Sequence, residues 1–225
     1  AWALFWLNGL APIELLGLSL KPGWVGSVLA AIYLVWMLNL YNFMDGIDGL
    51  ASAEAISVCL GMCLIYWMNG VAGLIGAPLV LTAGVAGFLC WNYPPARIFM
   101  GDAGSGFLGI ILGALALHAA WSKAEFLWSW LILLGVFVVD ATWTLVRRLI
   151  SGDKVYQAHS SHAYQKAARR WGHKKVTVSV VVINLGFLLP VSILVALGHL
   201  GVVTGICVAY APLVCAAYLL KAGKA

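Results

Sequence analysis

Four polar residues recur every third position where an apolar run ends: Asn39, Asn42, Asp45 and Asp48 in NLYNFMDGIDGLA. On a helix, steps of three drift slowly around the surface, so Asn39, Asn42 and Asp45 are expected to form a short stripe toward one neighbour. Gly46 and Gly49 then break the helix. Carboxylates beside apolar membrane helices are costly and usually face a polar cavity, a partner or a substrate; a polar cap with turn glycines is the plainer alternative. A second group lies in NYPPARIFMGDAGSGFLG, residues 92 to 109, where Pro94 and Pro95 end one helix and Gly101, Gly104 and Gly106 precede the next. A glycine-rich turn feeding a helix N-terminus offers free N–H groups and a positive dipole end to a phosphate. Asp102 in that turn would repel the phosphate unless a cation lay between them, which points to magnesium, an ion that takes one or two carboxylates plus substrate phosphates. The plainer alternative is an interfacial turn with Asp102 as an N-cap.

The third group is His159 and His162 in AHSSHAYQ, followed by Tyr164 and Gln165 and set among Arg147, Arg148, Lys154 and Lys166. Two histidines in a basic loop suit anion handling. His118, His173 and His199 are given no role. Asp140, about two turns inside its span, is expected to pair with a basic or histidine side chain of the adjoining loop, since an unpaired charge there is costly. Gly109 and Gly113 form a GxxxG pair suited to close helix packing.

The elements that must position these groups are membrane helices. Of 225 residues, 63% are apolar and 9% charged, with a net charge of +5 and a mean hydropathy of +0.98, which excludes a water-soluble globular domain. The runs are long and continuous, unlike the alternating strands of an outer-membrane barrel. An all-α, polytopic membrane helix bundle is expected, with seven or eight transmembrane helices at about 20 residues each. Full spans fall near 24 to 42, 50 to 68, 74 to 92, 105 to 120, 126 to 146, 176 to 197 and 202 to 220, after a partial span near 1 to 8. No repeat or linker divides the chain, so residues 1–225 read as one membrane-embedded domain. The five cysteines form no CxxC pair and suit packing. The polar break from 147 to 175 holds eight of the thirteen Lys and Arg, which makes it cytoplasmic by the positive-inside rule and fits contact with anionic membrane lipids. Alternating outward, MDGIDG, MGDAG and the histidine loop all reach that face. The chain begins inside an apolar run, without a methionine, and is expected to start partway through a longer protein.

These motifs resemble the polyprenyl-phosphate N-acetylhexosamine-1-phosphate transferases, a superfamily that includes the lipid I synthase of peptidoglycan assembly. NLYNFMDGIDGLA, NYPPARIFMGDAGS and HSSHAYQ occur in the family's order, and the HxxHAYQ form is most similar to the branch that starts bacterial O-antigen or related lipopolysaccharide glycans. The resemblance implies transfer of an amino-sugar 1-phosphate from a UDP-amino sugar to undecaprenyl phosphate, with release of UMP, in the bacterial inner membrane. It implies Asp102 as ligand of Mg2+, with Mn2+ as the alternative ion, Asn92 beside the diphosphate, and Asp48 and Phe99 bordering the uracil. Asn42 and Asp45 would line the nucleotide-sugar site with Asn39 nearby, and His159 and His162 would contact phosphate or sugar. Ser160 stands where the branch often carries arginine, so one phosphate contact would be weaker or would be replaced by Arg147 or Arg148. The family's Asp-Asp pair on an earlier cytoplasmic loop has no counterpart here, in keeping with a start partway through. No nucleic-acid partner is expected, and a homo-oligomer is compatible with the sequence. A transporter or flippase that uses the aspartates as an ion path would need them around a midplane cavity. A CDP-alcohol phosphotransferase would need a DGx2AR signature, which is missing.

Overall fold

The computed structural model describes residues 10–15, 18–20, 23–153 and 160–224. The expected partial span near 1 to 8 therefore lies outside the described residues, as does His159. A short antiparallel hairpin, β1 (Ile13–Leu15) and β2 (Leu18–Leu20), leads into ten helices. These are α1 (Gly23–Met44), α2 (Leu50–Met68), α3 (Gly76–Asn92), α4 (Gly101–Ala120), α5 (Ala124–Leu133), α6 (Gly135–Ile150), α7 (Ala163–Trp171), α8 (His173–Ile183), α9 (Leu189–Ala196) and α10 (Val202–Leu219). At 1.5 Å per residue the 22 residues of α1 reach about 33 Å, enough for a bilayer core. Among the described residues six helical stretches are long and apolar enough to cross a membrane, and seven if α5 and α6 form one bent span.

Two of the expected straight spans are interrupted. The run read as 126 to 146 bends by 72° between α5 and α6. Gly135 stands at the break, and a Cβ there would meet Leu213 and Tyr210 of α10 at 3.2 Å; the missing side chain lets α10 approach the corner. In the run read as 176 to 197, a π turn at Asn184–Leu188 separates α8 from α9. Pro190 follows it and has no N–H for the carbonyl one turn back, a standard cause of such a register change.

α1 packs most closely along α4. A Cβ on Gly109 would lie 2.3 Å from the Met37 carbonyl oxygen, so the backbones meet where the GxxxG pair was expected to pack. Trp130 and Tyr66 are fully buried between α5 and α2, with the indole Nε1 donating to the Tyr66 hydroxyl at 2.7 Å. At one end of the bundle Lys123 donates to Asn69 Oδ1 and to the Ala196 carbonyl, tying three turns together. The opposite end gathers the 45–49 turn, the 93–100 segment, α7 and the residues after α10.

Candidate functional site

At that second end a cavity of about 360 Å³ is lined by Asn42, Asp45, Asp48, Asn92, Phe99 and Asp102, together with His173 and the glycines between them. The first two sequence groups thus meet, carried by the end of α1, the turn into α2 and the start of α4. Helix α4 begins earlier than the sequence suggested, at Gly101, so Asp102 lies in its first turn. No side chain caps that helix, and the Asp102 carboxylate makes no hydrogen bond or ion pair among the described residues. It is therefore not an N-cap. Asn42 Oδ1 accepts from Ser105 Oγ at 3.0 Å, and Ser105 also reaches the carbonyls of Gly101 and Asp102, so α1 and α4 are joined beside the carboxylate.

Asp45 likewise has no hydrogen-bonding partner among the described residues. Partial burial, and then the negative charge of Asp102, push its carboxyl up from the usual 3.8 to about 6. Two carboxylates that repel across one cavity provide hard oxygen for a cation. No group of three or more His, Cys, Asp or Glu among the described residues is close enough to hold one metal ion, so Asp45 and Asp102 alone would leave a cation's shell incomplete. Both features fit magnesium held jointly with substrate phosphates.

Asp48 is held firmly. Its Oδ2 accepts from the Ala96 N–H at 3.2 Å, and its carbonyl accepts from Thr177 Oγ1 at 3.0 Å. His173 Nδ1 lies 3.3 Å from Asp48 Oδ1 and 3.4 Å from the Asp48 amide nitrogen. The first contact would use Nδ1 as donor and the second as acceptor, so Nδ1 can make one of the two at a time. His173 and Thr177 were given no role from sequence: they lie more than 120 positions from Asp48, and only the parallel run of α8 beside α2 brings them back. That run is fixed further along by Asn184, whose Nδ2 donates to Glu54 Oε2 at 2.6 Å and to Ser57 Oγ at 2.9 Å. Glu54 and Asn184 are fully buried.

Asn92 is buried at the cavity wall and its amide is engaged on both sides. Oδ1 accepts from the Gly49 N–H at 3.0 Å, while Nδ2 donates to the Ile98 carbonyl at 2.9 Å. It joins the two motif turns. Gly49 itself adopts φ +73°, a backbone that favours glycine. Phe99 is 77% exposed at the cavity. Asn39 does not line it: each three-residue step turns about 60° on an ideal helix, and Asn39 instead donates to the Val35 carbonyl at 2.7 Å.

The third group forms an adjoining wall. Asp140 accepts from the N–H groups of Ala163 at 2.9 Å and Tyr164 at 2.8 Å and lies 3.3 Å from His162 Nδ1, so it pairs with a loop histidine while capping α7. His162 is 3% exposed and closes a capping box with Gln165. Tyr164 donates to the Phe43 carbonyl at 2.9 Å, and its hydroxyl crowds Gly46, where a Cβ would sit only 2.1 Å away. Arg147 and Arg148 do not line the cavity. Arg147 donates to the Ala222 carbonyl, beyond the end of α10, and Arg148 lies 3.6 Å from Asp153, just past the end of α6.

Comparison with known proteins supplies the context for this arrangement. Residues 1–120 match the family model described as "Glycosyl transferase family 4". A probable undecaprenyl-phosphate N-acetylglucosaminyl 1-phosphate transferase of Bacillus subtilis is 30% identical over 176 residues, covering 77% of this chain and 49% of the relative. Phospho-N-acetylmuramoyl-pentapeptide-transferases are also similar. That of Moorella thermoacetica is 33% identical over 66% of this chain and 46% of its own length, and that of Chlamydia muridarum 39% over 55% and 37%. The chain spans about half the length, or less, of these relatives.

Proposed function

The chain belongs to glycosyl transferase family 4, and on that footing we propose that the protein it represents moves an N-acetylated amino-sugar 1-phosphate from a UDP-sugar to undecaprenyl phosphate and releases UMP. The reaction would serve as the first membrane step of O-antigen or related cell-envelope glycan synthesis. The site would face the cytoplasm of a bacterial inner membrane, where eleven of the thirteen basic residues fall by the positive-inside reading. The observation that carries the proposal is the pair of unpartnered carboxylates, Asp45 and Asp102, on one cavity with Asp48 and Phe99.

In such a transfer an oxygen of the lipid phosphate forms a bond to the sugar-linked phosphorus while the bond to the UMP oxygen breaks; the protein mainly supplies position and charge neutralisation. Asp102 and Asp45 would hold Mg2+, or Mn2+ in its place, and the ion when bound neutralises the diphosphate. The first N–H groups of α4 point their dipole at the same phosphates. Asn42 and Asp48 offer polar contacts to the nucleotide sugar, with Asp48 kept in place by Ala96, Thr177 and His173, and Phe99 presents an exposed ring to the uracil. Asn92 acts by joining the turns, and His162 by fixing α7 behind Gly46.

The experiment is a transfer assay on membranes that contain the full-length protein, with UDP-amino sugar, undecaprenyl phosphate and Mg2+. UMP release that disappears in Asp102→Asn supports the reading. A well-folded full-length protein that releases no UMP from any UDP-amino sugar defeats it. The transporter alternative lacks structural support, since Asp45, Asp48 and Asp102 line one end and Asp140 is spent on capping α7.

A further inference from the structure

A second cavity, of about 620 Å³, opens at the same end of the bundle but between the last turns of α6 and α10. Its walls are of two kinds. Trp143, Val146, Ile150 and Tyr218 supply an apolar side, and Arg147, Lys224 and Asp153 a charged one. Ile150 is 80% exposed and Tyr218 and its neighbour Leu219 are also open, so the apolar side continues onto an exposed apolar surface at the end of the bundle. The charged side is part of a larger group of cations. Lys166 stands near Arg147, Arg169, Lys221 and Lys224, and partial burial together with those four charges holds its ammonium below the usual lysine range.

This cluster is built rather than incidental. Lys166 Nζ donates to the carbonyls of Lys221 and Lys224, Arg147 donates to the Ala222 carbonyl and lies over the Tyr218 ring, and Arg169 donates to Ser160. The Gly223 N–H donates to the Ser161 carbonyl, which seats the whole turn against α6 and α7. Carbonyls orient these cations but do not neutralise them. The chain has eight acidic residues. Asp45, Asp48 and Asp102 belong to the first cavity, Glu54 is buried beside Asn184, Asp140 caps α7, Glu125 lies in the first turn of α5 at the far end, and Glu14 precedes α1. Among the described residues Asp153 is the acidic group on this cavity, and it lies 3.6 Å from Arg148.

We propose that this cavity is a binding site for the headgroup of an anionic phospholipid, with the phosphate among Arg147, Lys166 and Lys224 and the acyl chains along Val146, Ile150 and Tyr218. A cation group above an exposed apolar face is complementary to an anionic headgroup at the level of the membrane surface, where basic side chains attract anionic lipid. The inference does not depend on the reaction proposed above, and its test reads lipid, not turnover.

The test is native mass spectrometry of the full chain in neutral micelles, titrated with phosphatidylglycerol or with phosphatidylcholine of the same acyl chains. The expected result is a retained phosphatidylglycerol that phosphatidylcholine does not replace and that high salt releases. Lys166→Gln with Lys224→Gln should weaken its retention about tenfold or more, while Lys174→Gln with Lys175→Gln, an equal loss of charge at the start of α8, leaves it in place. Melting in phosphatidylcholine micelles checks that both variants fold; if the first pair does not, the salt series on the unaltered chain decides. The proposal is overturned by equal retention of the two lipids, by retention indifferent to salt, or by equal loss in both double variants. It is also overturned if inorganic phosphate displaces the lipid at comparable concentration, or if the first pair weakens undecaprenyl phosphate but not phosphatidylglycerol.

Discussion

Asp45 and Asp102 are defined by what they lack, since neither has a proton donor or counter-ion among the described residues although they face one cavity. Removing the Asp102 charge should therefore do two separable things. Asp102→Asn should lower UMP release by about 10^2 to 10^3, the scale for losing one preorganised electrostatic group. It should also lower the Asp45 pKa from about 6 toward its ordinary value, measured as the carboxyl infrared band of metal-free protein across a pH series; an unmoved Asp45 titration would show that Asp102 is not its neighbour in charge. The sign for stability follows from the raised value. The folded state prefers protonated Asp45, so without metal its contribution is full below the usual 3.8 and is lost as pH rises through about 6. For catalysis the dependence is opposite, because only the ionised carboxylate attracts a cation, and activity should fall as pH drops through the same window. Asp45, Asp48 and Asp102 could be picked out from sequence because carboxylates are rare in so apolar a chain. His173 could not, since its link to Asp48 exists only through α8. Nor was the burial of Asn92 visible, because an amide that joins two turns and an amide that meets a substrate look alike in a motif.

At the scale of elements, the site depends on two helix contacts remote from the chemistry. Where α1 crosses α4, a methyl group on Gly109 meets backbone rather than a movable side chain. Gly109→Ala should cost about 1–3 kcal/mol, read as a lower melting temperature in micelles, and should also separate Asn42 from Ser105. The other contact is the Asn184 amide on Glu54 and Ser57. Asn184→Leu leaves a buried carboxyl without its donor, at about 1–3 kcal/mol, and frees α8 to turn, so UMP release should fall even though residue 184 touches no part of the cavity. Glu54→Gln, which keeps a polar partner, should be milder on both measures. The helices themselves were plain in the apolar runs, and the GxxxG pair marked its contact. The bend before Gly135 was not, because LILLGVFVV is apolar on both sides of it and a glycine alone does not distinguish a corner from a packing notch. The short helix α7 was hidden in the same way inside the basic segment from 147 to 175, whose charge masked its capping box.

Over the whole molecule the two ends of the bundle are held by different means. The far end relies on Lys123, which reaches Asn69 and Ala196 from a third turn. Lys123→Met should lower thermal stability by about 1–3 kcal/mol while leaving the affinity of the near end for nucleotide unchanged, a separation that melting and equilibrium binding can test together. The near end is where polar residues gather, a division already implied by the uneven placement of the charged 9%. What composition could not convey is that the wall formed by α7 hangs from α6 through the Asp140 carboxylate, while Tyr164 on that wall reaches Phe43 and crowds Gly46. The 72° corner between α5 and α6 therefore acts as the elbow of a bracket. A change in core volume at Leu134 or Gly135, which alters that angle, should therefore alter the clearance over the MDGIDG turn, read as a change in the volume of the first cavity.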